Sequence, residues 1–257
     1  MEYMSLLGFA ACAPDAEFRA GLPFAAGDIV RDAIPPLLRR RSSQATQIAF
    51  SAAVAACAEA NRRASALPAV FASVAGEIQT TDQLCIELMK DGGIVSPSAF
   101  HNSVQNTVAG YWSIVQQCTQ AATALAAGVD TFAMALLEAW CQLACHGGEL
   151  LLVCYDERWP SYLAPGDGEQ ACAYAMVLAA GESDAALASI AKPHIGDTAF
   201  PEPWRATVNK MPILGAIPLL AAVTAGESAT VALSLSAAGW QTQVSMSGRG
   251  RPRQPIQ

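Results

Sequence analysis

Residues 120–132 read QAATALAAGVDTF: a short apolar stretch, Ala121 to Ala127, that passes through Gly128 into the first turn of a helix. Many enzymes seat a nucleophile on a strand-to-helix turn of this kind. The unpaired N–H groups and the dipole of the helix N-terminus favour a thiolate there and keep it reactive near neutral pH. Here the tip of the turn carries Val129, which has no lone pair. Asp130 follows, and a carboxylate in the first turn draws on the same favourable field.

Few other residues could do chemistry. Eight cysteines, at 12, 57, 85, 118, 141, 145, 154 and 172, sit mostly among Ala, Leu and Val. Their spacing fits neither a disulfide framework nor a zinc site, so they read as reduced core thiols of a cytoplasmic protein. Cys141, Cys145 and His146 could face one ligand, but no second pair lies nearby in sequence; small residues packing a buried helix is the simpler reading. Cys118, in the loop before the apolar stretch, is an alternative nucleophile with no histidine close in sequence, and otherwise a small loop residue. His101, between Phe100 and Asn102, reads as an interface or surface histidine. Asp156, Glu157 and Arg158 read as a solvated strand end, and Trp140, Trp159, Trp204 and Trp240 as core or lid packing. P-loop, G-x-G-x-x-G, G-x-S-x-G and H-E-x-x-H patterns are missing, so neither cofactor nor metal is expected.

The elements that position these residues alternate. Tyr3 to Cys12 reads as a buried strand. Ser42 or Ser43 caps an Ala-rich helix to about Asn61, apolar around most of its circumference and therefore sandwiched. Leu67 to Ala75 is a strand of the continuously apolar kind found in parallel or mixed sheets covered on both faces. Thr80 to Lys90 is a short helix ended by Asp91-Gly92-Gly93. Ser96 caps a helix with Pro97 at its first position that continues to about Ile114, with Phe100, Val104, Val108 and Tyr111 on one stripe. After the strand at 121–127 come an apolar helix from about Asp130 to Cys145 and the strand GELLLVCYD. A loop with Pro160, Pro165 and Gly166 to Gly168 leads to the strand ACAYAMVLAA, and a turn at Gly181 to Asp184 leads to a strand at about Ala185 to Ala191. This is the pattern of a layered α/β domain, 1–200. In 201–246, Pro201 to Lys210 is expected as a connector, Met211 to Ala225 as a helix, and the rest as a hairpin turning at Ala237 to Gly239. The basic tail, 247–257, reads as disordered.

Composition narrows the function. Hydrophobic residues make up 53% and charged residues 14% of 257, against a usual charged share of about 25%, which points to a buried partner face. A net charge of −7, with basic residues clustered only at Arg39 to Arg41 and in the tail, argues against nucleic-acid binding. The run Met211 to Ala225 is broken by Pro212, Gly215 and Pro218 and is shorter than the roughly 20 residues of a membrane span. The N-terminus resembles a lipoprotein signal ending at Cys12 only superficially, since Glu2 stands where a basic segment belongs.

The succession RRRSSQATQIAFSAA, SPSAFHNSVQNTVAGYWSI, TALAAGVDTFAMALLEA and LLLVCYDE resembles the amino-terminal half of β-ketoacyl synthases. The likeness covers about Met4 to Ala180, and it is strongest to the short ketosynthase-like proteins that act as chain-length factors in aryl-polyene-type pathways. It implies a truncated thiolase-like fold carrying a C-terminal helix and hairpin. It also implies that Val129 occupies the position of the family's nucleophilic cysteine. The family's second half, with two histidines that help decarboxylate the extender unit, has no counterpart here; the three histidines stand at 101, 146 and 194. The resemblance further implies a heterodimer with an active ketosynthase through the strand at 121–127, with Thr123 and Leu125 at or near the interface. Phe100, Val104, Val108 and Tyr111 are then candidate walls of the partner's acyl tunnel, and an acyl carrier protein is a transient visitor. Two other readings stand beside this one: an acyltransferase using Cys118, and a stand-alone acyl-binding homodimer.

Overall fold

A computed structural model of the chain describes residues 1–163 and 170–247. The loop expectation at Pro165 to Gly168 and almost all of the tail fall outside those residues. In chain order the elements are β1 (Tyr3–Cys12), α1 (Ala16–Gly21), α2 (Pro36–Arg39), α3 (Gln44–Glu59), β2 (Ala69–Ala72), α4 (Ile78–Leu88), α5 (Pro97–Asn102) and α6 (Thr107–Gln116). They continue with β3 (Ala122–Leu125), α7 (Thr131–His146), β4 (Glu149–Asp156), β5 (Cys172–Ala180), β6 (Ala188–Ala191) and β7 (His194–Ile195). Then come α8 (Glu202–Lys210), α9 (Ile217–Ala225), β8 (Ala229–Ala232) and β9 (Trp240–Met246).

Among the described residues the strands form one mixed sheet in the order β3-β2-β4-β5-β1-β6-β9-β7, with β8 paired to β9. Strands β2, β3 and β4 are parallel, and the pairings of β4 with β5, β5 with β1, β1 with β6 and β6 with β9 are antiparallel. Period-two alternation sends Leu150, Leu152, Tyr174 and Met176 to a core beneath α7 and α9, and Leu151, Val153, Tyr155 and Ala175 to a second core beneath α3 and α6. With both faces covered, continuously apolar strands are required, as the sequence suggests. A bulge between Leu6 and Gly8 shifts the register of β1 against β5, so that Phe9 rejoins the face of Leu6. Gly8 is fixed by close packing: a Cβ there would lie 2.8 Å from the backbone nitrogen of Ala60, just past the end of α3.

Three sequence expectations differ from the fold. The helix from Ser96 to Ile114 is two helices, because residues 103–106 turn between α5 and α6. Phe100 and Val104 therefore do not share a stripe with Val108 and Tyr111. The segment from Glu202 to Lys210, expected as a connector, is helix α8, with a proline at its start. The C-terminal hairpin runs on as part of the main sheet through β9 and β6.

Candidate functional site

Strand β3 leads into the turn that carries Val129. Gly128 sits at φ +55°, and a 3-10 turn over Gly128–Asp130 hands the chain to α7. The hydroxyl of Thr131 locks the turn, donating to the Gly128 carbonyl at 2.8 Å and accepting from the Ala127 N–H at 3.0 Å. Val129 lies at the tip with 51% of its surface exposed. Asp130 caps no N–H of α7 with its side chain, and its Oδ1 is buried without a hydrogen-bond partner among the described residues. The sequence reading of Asp130 thus reduces to a through-space charge.

The other residues singled out scatter. Thr123 and Leu125 are half-buried on the α7 side of β3, where Thr123 Oγ1 accepts from Gln142 Nε2 at 3.0 Å. Val108 is fully buried beneath α3 in the core that holds Trp112, Phe50 and Phe71. Tyr111 is half-buried, and its hydroxyl donates to Asn102 Oδ1, tying α6 to α5. Phe100 is 64% exposed, and Val104 is also exposed. Cys118 is buried, and its thiol donates to the Leu67 carbonyl at 3.5 Å, so an acyl thioester there would require that packing to open. His101, His146 and His194 are all exposed.

Two cysteine readings need correction. Cys141 and Cys145 do not pack a buried helix: both are exposed, because the outward face of the second half of α7 is uncovered, and Cys85 is exposed on α4. All eight thiols are free, and no group of three or more His, Cys, Asp or Glu side chains able to hold a metal occurs among the described residues.

A larger correction concerns Asp156 and Glu157. They are not a solvated strand end; they are 2% and 1% exposed. Asp156 Oδ1 accepts from Ser73 Oγ at 2.6 Å and from the Val74 N–H at 3.0 Å, joining the ends of β4 and β2. Glu157 accepts from the Ala45 N–H at 3.2 Å and the Gln79 N–H at 3.0 Å, and so holds the first turns of α3 and α4 together. Glu77 accepts from Thr46 Oγ1 at 2.9 Å. Burial pushes the carboxyls of Asp156 and Glu157 up to about 7, against the lowering effect of these donors, and raises Glu77 in the same direction.

A strand, a glycine turn and a buried helix at the edge of a two-faced mixed sheet now await a family. The sequence model for the beta-ketoacyl synthase N-terminal domain matches residues 17–243. The chain belongs to that family. Its fold is the thiolase-like layer of a ketosynthase amino-terminal half. Comparison with curated proteins finds no match. Among solved structures, a ketosynthase in complex with its chain length factor from Xenorhabdus doucetiae is similar at TM-score 0.69 and 20% identity, over 95% of this chain and 100% of that one. The ishigamide ketosynthase/chain length factor is similar at TM-score 0.68 and 16% identity, over 96% and 100%. A ketosynthase bound to a hexaketide, in complex with its type II polyketide acyl-carrier protein, follows at TM-score 0.67 and 11% identity, over 96% and 99%. Within this ketosynthase-family chain, no helix of the described residues is long and apolar enough to cross a membrane.

Proposed function

We propose that this chain is a non-catalytic ketosynthase-like subunit of the chain-length-factor type, which pairs with an active β-ketoacyl-carrier-protein synthase and shapes its acyl tunnel, in an aryl-polyene-like or related type II polyketide pathway. The observation that carries the reading is Val129: a hydrocarbon side chain tips the turn where the family resemblance puts the cysteine. Without a sulfur at that point, no acyl thioester forms there, and the chain acts by shape and association.

Strand β3 supports the second half of the reading. Among the described residues it ends the sheet order, pairs only with β2, and leaves one edge open. The carbonyls of Ala121 and Leu125 accept from the N–H groups of Ala69, at the start of β2, and Ser73, just past its end. By the two-residue alternation of a strand, the polar groups of Ala122 and Ala124 then face outward, ready for another strand. Exposed apolar side chains, Phe100, Val104, Ile114 and Val129, lie on the segments flanking β3 in sequence. Two of the similar structures pair a ketosynthase with a chain length factor, and both matched chains are spanned whole.

Co-expression with a ketosynthase from the same gene neighbourhood, purified on a tag carried by one chain, tests the reading. A one-to-one complex that condenses acyl units, from a chain inert by itself, is the expected result. Separate elution of the two chains, or condensation by this chain alone, overturns it.

A further inference from the structure

A cavity of about 550 Å³ opens between the N-terminal turns of α3 and α4 and the end of β4, lined by Arg40, Arg41, Ser42, Ser43, Gln79, Thr80, Gln83 and Arg158 around Glu157. Its size suits a small ligand. Its position is the crevice beyond the carboxyl ends of parallel strands β2 and β4, where open α/β sheets take ligands, on the same end of the sheet as the β3–α7 turn.

Three arginines of the lining lack a carboxylate partner, as Arg31 and Arg63 elsewhere among the described residues also do, but only here do three gather around one cavity. Arg19, Arg39, Arg62, Lys90 and Arg205 each face a carboxylate within 4.0 Å. Arg40, Arg41 and Arg158 have no ion-pair partner among the described residues, although the chain as a whole carries −7. Their backbone is nonetheless fixed. Asn102 Nδ2 donates to the Arg41 carbonyl at 3.3 Å, Gln47 Nε2 to the Ser42 carbonyl at 3.2 Å, and Gln79 Nε2 to the Arg158 carbonyl at 2.6 Å. The acid at the floor is already engaged, since both oxygens of Glu157 accept backbone N–H groups. Those bonds, with Ser43 accepting from Thr46 N–H at 3.0 Å, also occupy the helix ends, so any anion must be held by side chains.

We propose that this cavity binds a phosphate group, presented by a small phosphate ester or by a phosphate-linked arm on a partner protein. Guanidinium forks match phosphate oxygens two at a time, and the side-chain amide of Gln83 supplies a further donor, whereas the Ser42 hydroxyl already donates to the Arg39 carbonyl at 3.0 Å. The inference does not depend on the subunit reading.

Calorimetric titration of the full chain with pyrophosphate and with orthophosphate tests it, with acetate at matched ionic strength as the reference anion. Pyrophosphate should bind saturably in the millimolar range or tighter and acetate should not. The doubly substituted R41A/R158A chain should bind about tenfold more weakly or worse, with unchanged circular dichroism, while Arg63→Ala, away from the cavity, should behave as the parent. Absence of pyrophosphate binding, equal binding of acetate, or equal affinity in the R41A/R158A chain overturns the proposal. Displacement of pyrophosphate by a carrier protein bearing its phosphate-linked arm, and not by the same protein stripped of it, assigns the phosphate to a protein-borne arm; displacement by neither assigns it to a free ester.

Discussion

A valine at the β3–α7 turn and three buried carboxyls where β4 meets the starts of α3 and α4 set the residue-scale chemistry. Replacing Val129 by Cys places a thiol on an exposed tip at the head of α7, where the helix field favours a thiolate. Iodoacetamide should therefore label Val129→Cys faster than it labels Cys118, as read by peptide mass mapping. Condensation should still not appear in the isolated variant, because His101, His146 and His194 are exposed side chains on α5, α7 and β7 and none resembles the family's decarboxylating pair. Asp156 and Glu157 give a pH prediction. Their folded-state carboxyls stand near 7, above the ordinary values of 3.8 and 4.5, so the folded chain holds protons that the unfolded chain releases. The stability due to the protonated forms is fully present below the unfolded values and is lost as pH rises through about 7. The urea midpoint should thus fall as pH rises from the ordinary values of 3.8 and 4.5 to about 7 and level off above it, with a loss on the order of a few kcal/mol in unfolding free energy. Asp156→Asn should flatten that slope; an unchanged slope would mean that solvent or structural relaxation already pays the burial cost.

At the scale of elements, the open edge of β3 and the break between α5 and α6 matter most. Ala124→Pro removes an outward-facing N–H while the inward bonds of Ala121 and Leu125 to β2 remain. Co-purification with the ketosynthase should drop by about tenfold or more, with the circular dichroism of the isolated chain unchanged; retained pairing would show that another surface makes the contact. Phe100, 64% exposed on α5, can reach a partner, whereas Val108 is committed to the core under α3. Phe100→Ala should therefore lengthen the products of the reconstituted pair, read by mass spectrometry. Tyr111→Phe keeps the ring and loses only the bond to Asn102, so it should leave product length alone. The sequence showed most of these elements, because apolar runs and caps are local: Ser43 caps α3 as expected, its Oγ accepting from Thr46 N–H. It did not show the break at residues 103–106, since Ser103 and Asn106 are tolerated within helices and the turn makes tertiary contacts such as Gln105 Nε2 donating to the Ser73 carbonyl at 3.2 Å. Burial of Asp156 and Glu157 was equally hidden, because it depends on helices α3 and α4, distant in sequence, converging on the end of β4.

On the scale of the whole molecule, a chain with 53% hydrophobic residues and 14% charged ones covers both faces of its sheet and still leaves apolar side chains in the open. Ile86, Leu88, Met89 and Ile94 are exposed on α4 and the segment after it, and Phe100 and Val104 on and just after α5. A folded monomer gains nothing from keeping such groups in water, while a partner that covers them gains about 25 cal/mol for each Å² of apolar surface removed. Binding to the folded chain alone stabilises it by mass action: partner at about a hundred times its dissociation constant adds about 2.7 kcal/mol. For a chain of this length, each kcal/mol moves the melting midpoint by about 2–4 °C, so saturating ketosynthase should raise it by roughly 5–10 °C. The same ketosynthase added to the Ala124→Pro chain should leave the midpoint where it was, which separates pairing through β3 from general protection by a second protein. A midpoint that fails to rise with the unsubstituted chain, under conditions where the two co-elute, would mean that the ketosynthase holds the unfolded chain as well as the folded one, and the heterodimer reading would lose its energetic basis.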